Sequence, residues 1–280
     1  MNLYLAGTYS RKYVVEELMD FYLGTPHSDS RAVIPESLKA DRLYILESFY
    51  YVQPWMFPYI DKKIWNFMLD SGAFTFMANK RSDVKSQIAS QSINWDDYVR
   101  RYADFIIEHD VELFFELDVD VIVGLDRVNK LRDALETRTQ RQSIPVWHKS
   151  RGLNNWKQLI RDYKYVAIGG IVSGEIRRTD HKFLHAMCDL AHVEKTRVHG
   201  LGVTPQKMSV HEYRFDSTDS TSWTIGNRSG LVFHFDGDHM SKRLKPPGTR
   251  VKPRDGAVHN FREWVKFQRY MQHAGWRMET

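Results

Sequence analysis

Carboxylates and one imidazole follow short apolar runs at four places in the sequence. These places are Asp70 after NFML, Asp118 or Asp120 after LFFEL, His148 after IPVW, and Asp216 after YRF. Carboxylates in one partly desolvated pocket push their pKa values apart, so that one stays ionised as a nucleophile while another works as an acid or base. Substitution at the anomeric carbon of a sugar requires such a pair. A single Asp at such a place is more commonly a turn or cap residue, so the prediction depends on the set.

Two adjacent glycines, Gly169 and Gly170, follow the apolar run 165-YVAI-168. Because glycine has no Cβ, a flat ligand can approach its backbone closely, and the exposed N–H and C=O groups serve as donor and acceptor. The glycine pair therefore predicts a place where the edge of a nucleobase is read. A phosphate-binding turn of an ordinary barrel would have the same pattern.

These residues meet only if the apolar runs are parallel strands whose carboxyl ends share one edge. The runs alternate with helical patterns. The predicted strands are 3–7, 43–48, 66–70, 112–118, 144–148, 165–170, 197–202 and 213–216. Eight such units predict an α/β fold, a (β/α)8 barrel with its chemistry at one mouth. An open doubly wound sheet is the alternative.

The predicted helices lie between these strands and at the end of the chain. They are 12–23, 95–109 (capped by Asn94 or Asp96), 126–139, 153–163, 180–193, 205–211 and 259–273. The alternation of strand and helix breaks down after Asp216. We therefore predict a barrel domain over residues 1–222 and a basic C-terminal extension, packed on the barrel, over residues 223–280.

Composition restricts the classes of protein. The one cysteine, Cys188, excludes a disulfide within the chain and a zinc site of several thiolates. No run is long enough to span a membrane, and no secretory signal begins the chain, so a cytoplasmic protein is predicted. The net charge of +5 includes a cluster without acids, which suits a polyanion as partner, although a solvated loop would have the same pattern. This basic segment contains Lys242, Arg243, Lys245, Arg250, Lys252 and Arg254.

Four ordered segments resemble motifs of the queuine/archaeosine tRNA-guanine transglycosylases and of their phage and bacterial relatives that insert 7-deazaguanines into DNA. The segment 69-LDSGAF-74 resembles the family's DSGG[FY], and 168-IGGIVSGE-175 resembles its GGLAVGE. The segment 200-GLGVTP-205 resembles MGVGTP, and 214-RFDSTDS-220 resembles the strand that ends in the family's nucleophilic FD. The resemblance covers roughly residues 66 to 220 and implies a barrel enzyme that exchanges bases.

The resemblance also implies roles for single residues. Asp216 becomes the nucleophile that holds the sugar, and Asp70 the carboxylate that handles a proton. The guanine edge is read by Asp118, with Asp120 as a competitor. The remaining implied pocket residues are Ser71 and Gly72 in the wall, Gly169, Gly170 and Ile171 through their backbone, and Glu175 beneath the 7-substituent. Phe74, Trp147 or Trp223 are candidates to stack on the base.

The sequence departs from the family at two points. The family has a glutamine at the end of the fifth strand where this chain has His148, so base recognition is expected to differ. The family's zinc site of three cysteines and a histidine cannot form around Cys188 alone. The cluster 234-HFDGDH-239 fits loop polar groups better than a substitute site. We therefore predict no metal and no cofactor.

The implied reaction is a ping-pong exchange of guanine for a free 7-deazaguanine base, with the target nucleotide flipped out or single-stranded. The missing zinc site favours DNA over tRNA as partner, and the basic segment would contact phosphates of either polymer. Members of the family dimerise, so the resemblance makes a homodimer possible. The alternatives are a tRNA-guanine transglycosylase without zinc, a retaining glycoside hydrolase, and a catalytically silent nucleic-acid-binding barrel.

Overall fold

The computed structural model describes residues 1–23, 42–72, 75, 93–177, 179–205, 214–225, 231–244, 248 and 251–274. Its main sheet has eight parallel strands. They are β1 (Asn2–Ala6), β2 (Leu43–Ser48), β3 (Trp65–Asp70), β4 (Leu113–Phe114), β5 (Val146–Trp147), β6 (Tyr165–Ile168), β7 (Arg197–Gly200) and β8 (Ser217–Ser220). Their order in space is β4-β3-β2-β1-β8-β7-β6-β5.

The two outermost strands of this order, β4 and β5, are joined by residues next to them. Phe115 forms a parallel bridge with Ile144, and the Ile144 N–H donates to the carbonyl of Phe114 at 2.8 Å. The sheet thereby curls into the predicted (β/α)8 barrel, and the prediction of the fold is confirmed.

The interior of the barrel is filled by side chains that alternate along the strands with those facing the helices. The buried interior cluster consists of Tyr4, Ala6, Leu46, Met68, Phe115, Ile144, Val146, Tyr165 and Ala167. At β7 and β8 the interior becomes polar, with His199 and Ser217 buried there. This polar sector lies beneath the candidate active site.

Helices follow the strands around the barrel. In the described part of the chain they are α1 (Lys12–Leu23), α2 (Phe57–Asp61), α3 (Trp95–Glu108), α4 (Asp120–Val123), α5 (Leu125–Thr139), α6 (Gly152–Asp162), α7 (His181–Val193) and α8 (Pro253–Ala274). Of the two predicted caps of α3, Asn94 is the one used, since its side chain accepts from the Asp97 N–H at 3.1 Å. The predicted helix 205–211 lies outside the described residues beyond Pro205.

The eighth strand lies four residues further along the chain than predicted. The run 213-YRFD-216 was predicted to be the strand, but β8 is Ser217–Ser220. The polar DSTDS sequence looks like a loop, yet Ser217 faces the polar sector of the barrel interior and pairs with His199 of β7. Asp216 therefore precedes the strand instead of ending it.

The C-terminal helix α8 belongs to the layer of helices that covers the sheet. Its Gln268 donates from Nε2 to the carbonyls of Leu3 and Tyr44, both at 2.8 Å. The Tyr44 N–H donates in return to Gln268 Oε1 at 3.2 Å. Gln268 thus satisfies backbone groups of β1 and β2. These groups come before the residues at which the two strands pair, where Leu5 is opposite Ile45. The boundary between 222 and 223 stays a prediction.

An antiparallel hairpin, β9 (Leu231–Phe235) and β10 (Met240–Leu244), lies against α8. The Phe233 N–H donates to Asn260 Oδ1 of this helix at 2.9 Å. In the described part of the chain, no helix combines the length and the apolar character that a membrane crossing requires.

Candidate active site

Asp70 is the last residue of β3 and lies at the mouth of the barrel. Its Oδ2 accepts from the Gly72 N–H at 2.9 Å. Burial raises the pKa of Asp70 to about 6, and the negative charges of Asp219 and Asp118 add to the rise, although hydrogen bonds from Gly72 and Ser71 oppose it. Asp70 is therefore suited to exchanging a proton near neutral pH.

Asp219 is a second carboxylate at the mouth, close to Asp70. It is the next-to-last residue of β8. Its Oδ1 accepts from the Gly202 N–H at 2.6 Å and lies 3.2 Å from His199 Nε2. Among the described residues, no hydrogen-bond partner contacts its Oδ2. A carboxylate with one oxygen fixed and 13% of its side chain exposed is suited to nucleophilic attack.

A buried chain of hydrogen bonds supports Asp219 from inside the barrel. His199 Nδ1 lies 2.5 Å from Ser217 Oγ, which also bonds the hydroxyl of Tyr165. One direction of donation satisfies every group: Tyr165 to Ser217, Ser217 to His199 Nδ1, and His199 Nε2–H to Asp219. The chain has the residue types of a hydrolase triad, but Ser217 is buried, so its role is to orient Asp219.

His148 lies between two carboxylates on the other side of the mouth. Its Nε2 is 2.7 Å from Asp118 Oδ2, and its Nδ1 is 3.3 Å from Glu175 Oε2. Burial lowers the pKa of His148, but the hydrogen bond and the charge of Asp118 outweigh it, so the pKa is raised overall. The imidazolium thus holds Asp118 and Glu175 in fixed positions beside the pocket.

Arg151 fixes the same cluster from below and has only 3% of its side chain exposed. It donates to Asp120 Oδ2 at 2.9 Å, to Asp118 Oδ1 at 3.0 Å, and to Glu116 Oε1 at 3.0 Å. Glu116 is fully buried and also accepts from Arg132 at 2.9 Å. Because breaking a buried ion pair leaves an uncompensated charge, this network sets the positions of the Asp118 and Asp120 carboxylates firmly.

Asp118, Asp120 and His148 have the spacing of a metal site. Both aspartates, however, already accept from the guanidinium of Arg151. Arg151 thus supplies the positive charge that a cation would bring. In the hairpin, Asp236 Oδ1 accepts from the N–H groups of Asp238 and His239, which is the geometry of an ordinary turn. The prediction of no metal stays a prediction.

The glycines of the site make room for its own side chains. A Cβ on Gly169 would lie 2.7 Å from Cε1 of His148, and a Cβ on Gly170, which has φ +82°, would lie 2.8 Å from Glu175 Oε2. Gly72, with φ +83°, is enclosed by Ser48 and Tyr98 in the same way. The sequence explains these glycines by the close approach of a ligand to the backbone. The packing of His148 and Glu175 is a further reason why glycine is needed there.

Asp216 lies at the opposite end of the barrel from these residues. It precedes β8, its carbonyl accepts from the Asn2 N–H at the start of β1, and its Oδ2 accepts from the Val198 N–H at 2.7 Å and lies 2.9 Å from His192 Nε2. The prediction that Asp216 ends its strand beside Asp70 is wrong, because β8 starts after Asp216. Asp219 occupies the position at the mouth that was assigned to Asp216.

Other predicted pocket residues have mixed positions. Ser71 is buried, its carbonyl accepts from Tyr98 Oη at 2.6 Å, and Ile171 is buried among apolar side chains behind the glycine turn. Trp147 and Trp223 are buried and donate to backbone carbonyls, so neither can stack on a base in the mouth. Phe74 lies outside the described residues.

The basic segment is divided between two surfaces. Lys242 and Arg243 are exposed on β10, and Lys242 lies over the ring of Phe233 at 5.8 Å. Lys252 and Arg254 are exposed at the start of α8, which lies beside the first turn of α1. Because α1 follows the mouth end of β1, this second surface lies toward the mouth. Lys245 and Arg250 lie outside the described residues.

Four residues of the site were missed by reasoning from the sequence. They are Glu47, Arg151, His199 and Asp219. Glu47 is buried in β2, where burial raises its pKa to about 7 although hydrogen bonds from residues 7 to 9 oppose the rise. Asp219 lies three residues beyond Asp216, which was chosen, so a shift in the predicted bounds of the eighth strand would have found it. Arg151 follows the fifth strand in a short 3-10 helix, and only its partners identify it. Nothing local distinguishes Glu47 from a core residue.

No protein-family model matches the chain, and a search among curated proteins finds no match. The function must therefore be inferred from the fold, from the geometry of the site and from the resemblance of its motifs.

Proposed function

We propose that the protein is a transglycosylase that exchanges guanine for a 7-deazaguanine, such as 7-cyano-7-deazaguanine, in DNA. The observation that carries the proposal is the meeting of Asp70 and Asp219 at one barrel mouth, where the charge of Asp219 contributes to the raised pKa of Asp70. A carboxyl group whose pKa is raised, placed beside a second carboxylate, suits substitution at an anomeric carbon. The resemblance of the motifs selects a nucleoside as the substrate.

In the first half-reaction, Asp219 attacks C1′ of the target nucleotide. The C1′–N9 bond breaks, its electron pair leaves with guanine, and guanine takes a proton from Asp70. The product is a covalent sugar ester of Asp219. His199 keeps Asp219 oriented for this attack through its contact with Oδ1, at 3.2 Å.

In the second half-reaction, N9 of the incoming 7-deazaguanine attacks C1′. Its N–H proton passes to Asp70, and the Asp219–C1′ bond breaks with its electron pair returning to the carboxylate. The carboxylate of Asp219 is then free again, and the modified polymer leaves the enzyme. Asp70 thus acts first as acid and then as base, which suits a carboxyl group with a pKa near 6.

The cluster around His148 is the proposed reader of the base. Asp118 would accept from the guanine edge, and the backbone of Gly169 and Gly170 would contribute further contacts. Glu175, held by the Ser150 N–H at 2.6 Å, would lie near the 7-substituent. A polar site built around fixed groups rejects bases that leave those groups unpaired.

DNA is the proposed polymer because the chain has one cysteine, Cys188, and cannot form the cysteine-rich zinc site of the tRNA enzymes that it resembles. The target nucleotide must leave the helix or lie in a single strand for C1′ to reach Asp219. A free base is the second substrate, and the proposed reaction needs no cofactor. The homodimer stays a prediction.

The test uses purified protein with radiolabelled guanine and, in separate reactions, guanine-containing DNA and bulk tRNA. We expect label in DNA, together with a denaturation-resistant adduct between protein and DNA. Label in tRNA alone overturns the choice of polymer. Label in neither polymer, with sugars released from oligosaccharides instead, favours the glycoside hydrolase.

A further inference from the structure

Three tyrosines lie on the rim of the mouth, next to Asp70. Tyr9 is in the loop after β1, and Tyr50 and Tyr51 are in the loop after β2. Tyr50 borders the pocket directly, because a Cβ built on Gly72 would lie 3.0 Å from the Cβ of Tyr50. These three residues form what we call the tyrosine rim.

The rings of the tyrosine rim are arranged as one surface. Tyr9 and Tyr51 are stacked, with centroids 4.4 Å apart and planes at 13°. Tyr50 meets Tyr51 edge to face, with centroids 4.9 Å apart and planes at 83°. Tyr9 is 37% exposed and Tyr50 is 53% exposed. Large aromatic groups exposed beside a polar pocket suit a planar ligand, because stacking needs only a π-face.

The tyrosine rim has a firm base. Glu47 of β2, 2% exposed, accepts from both the N–H and the hydroxyl of Thr8, the latter at 2.5 Å. This pair ties the loop that carries Tyr9 to the strand that precedes Tyr50 and Tyr51. A rigid platform loses little conformational freedom when a ligand stacks on it.

Positive charge lies on the same side of the barrel. Arg254, exposed at the start of α8, lies 5.1 Å from the ring of Tyr13 in the first turn of α1. Lys252 is exposed two residues earlier. Arg11, between the tyrosine rim and α1, lies over Trp223 at 5.8 Å. Aromatic faces next to cationic side chains are the combination that binds single-stranded nucleic acid.

We propose that the tyrosine rim binds the nucleotide next to the target in a single strand, with one base stacked on Tyr9 or Tyr50 and the phosphates on Lys252 and Arg254. This inference rests on the proposed function, since it assumes that the target nucleotide occupies the mouth. The surface would keep the target unpaired by holding its neighbour. It would not distinguish base sequences, because every base has a face to stack.

The experiment measures binding without turnover. In the background of Asp219→Asn, the anisotropy of a labelled single-stranded DNA of about 12 nucleotides, within the usual length of single-strand sites, gives the dissociation constant. We expect the double variant Tyr9→Ala, Tyr50→Ala to weaken binding about 10- to 100-fold. The variant Tyr9→Phe, Tyr50→Phe keeps the rings, and its affinity is expected to stay within about threefold. Val193→Ser, at an exposed position on the far end of α7, is the matched control for surface changes.

The outcomes separate the two proposals. Equal affinities for the alanine variant and its parent overturn the tyrosine rim, as does an equal loss for the phenylalanine variant. Melting temperatures of all variants exclude loss of folding as the cause. If the alanine variant loses binding but the enzyme with Asp219 intact exchanges no base, the tyrosine rim stands and the transglycosylase proposal fails.

Discussion

Two aspartates of the same strand region, three residues apart, each contact a histidine, but at opposite ends of the barrel. Asp216 meets His192 of α7 at the amino end, with 35% and 41% of the side chains exposed. Asp219 meets His199 of β7 at the carboxyl end, with 13% and 0% exposed. The chemical groups are the same, but their positions relative to β8 and their exposure differ.

The difference shows how strand direction decides what an Asp–His pair can do. Near the mouth, Asp219 lies close enough to Asp70 for its charge to help raise the pKa of Asp70. At the other end, Asp216 ties β8 to β7 through the Val198 N–H at 2.7 Å. The first pair lies at the end of the barrel where barrel enzymes have their active sites, and the second lies at the end where residues serve stability.

The largest expected effect comes from removing the charge of each aspartate in turn. Asp219→Asn should lower the rate of base exchange about 10⁴-fold or more and abolish the covalent adduct, because an amide is a poor nucleophile. Asp216→Asn, its matched control, should keep the rate within a few-fold. Single-turnover assays with labelled DNA measure both. An adduct that persists in Asp219→Asn and vanishes in Asp216→Asn would reverse the assignment.

A smaller effect is expected for the proton carrier at the mouth. Asp70→Asn should slow formation of the adduct about 10²- to 10⁴-fold, since guanine then leaves without a proton donor. In the parent enzyme, adduct formation should fall as the pH rises through about 6, because Asp70 must be protonated in this step. Rates measured from about pH 5 to 8 show this. The same pH limb in Asp70→Asn would mean that another group donates the proton.

The barrel could be predicted from the sequence because most of its strands are apolar runs, such as 43–48, whose predicted bounds match β2. The eighth could not, because Ser217 and Asp219 face a polar sector of the barrel interior that is formed by His199 and Tyr165. An apolar pattern is a signal only where the surroundings of the strand are apolar.

The same limit explains which parts of the site were predicted. Asp70, Asp118 and His148 directly follow apolar runs, so the fold placed them at the mouth. Arg151 is visible only through its partners, Asp118, Asp120 and Glu116, which come from a different segment of the chain. Long-range ion pairs have no signature in the local sequence.

A third prediction concerns the cluster around His148, the proposed reader of the base. His148→Gln should raise KM for the free base about tenfold and change kcat less, because a neutral amide holds Asp118 and Glu175 less firmly than an imidazolium. Steady-state kinetics with labelled base separate the two constants. His181→Gln on α7 is the matched control for loss of a histidine. A fall in kcat with KM unchanged would place His148 in the chemical step instead.

The smallest effect is expected at the amino end, in stability. The hydrogen bond and charge of Asp216 raise the pKa of His192 above its unfolded value of about 6.5. The pair therefore stabilises the fold fully below that value, and the contribution is lost as the pH rises through the raised pKa. Because both groups are partly exposed, the ion pair contributes no more than about 1 kcal/mol.

The melting temperature of Asp216→Ala should thus lie further below that of the parent at about pH 6 than at about pH 8.5, where less of His192 is protonated. The deficit that remains at the higher pH is due to the unpaired Val198 N–H. In the background of His192→Gln, the deficit caused by Asp216→Ala should depend less on pH and keep the part due to the Val198 N–H. A deficit that grows with pH would show that Asp216 does not interact with a protonated His192, and the stabilising role of the amino-end pair would then be wrong.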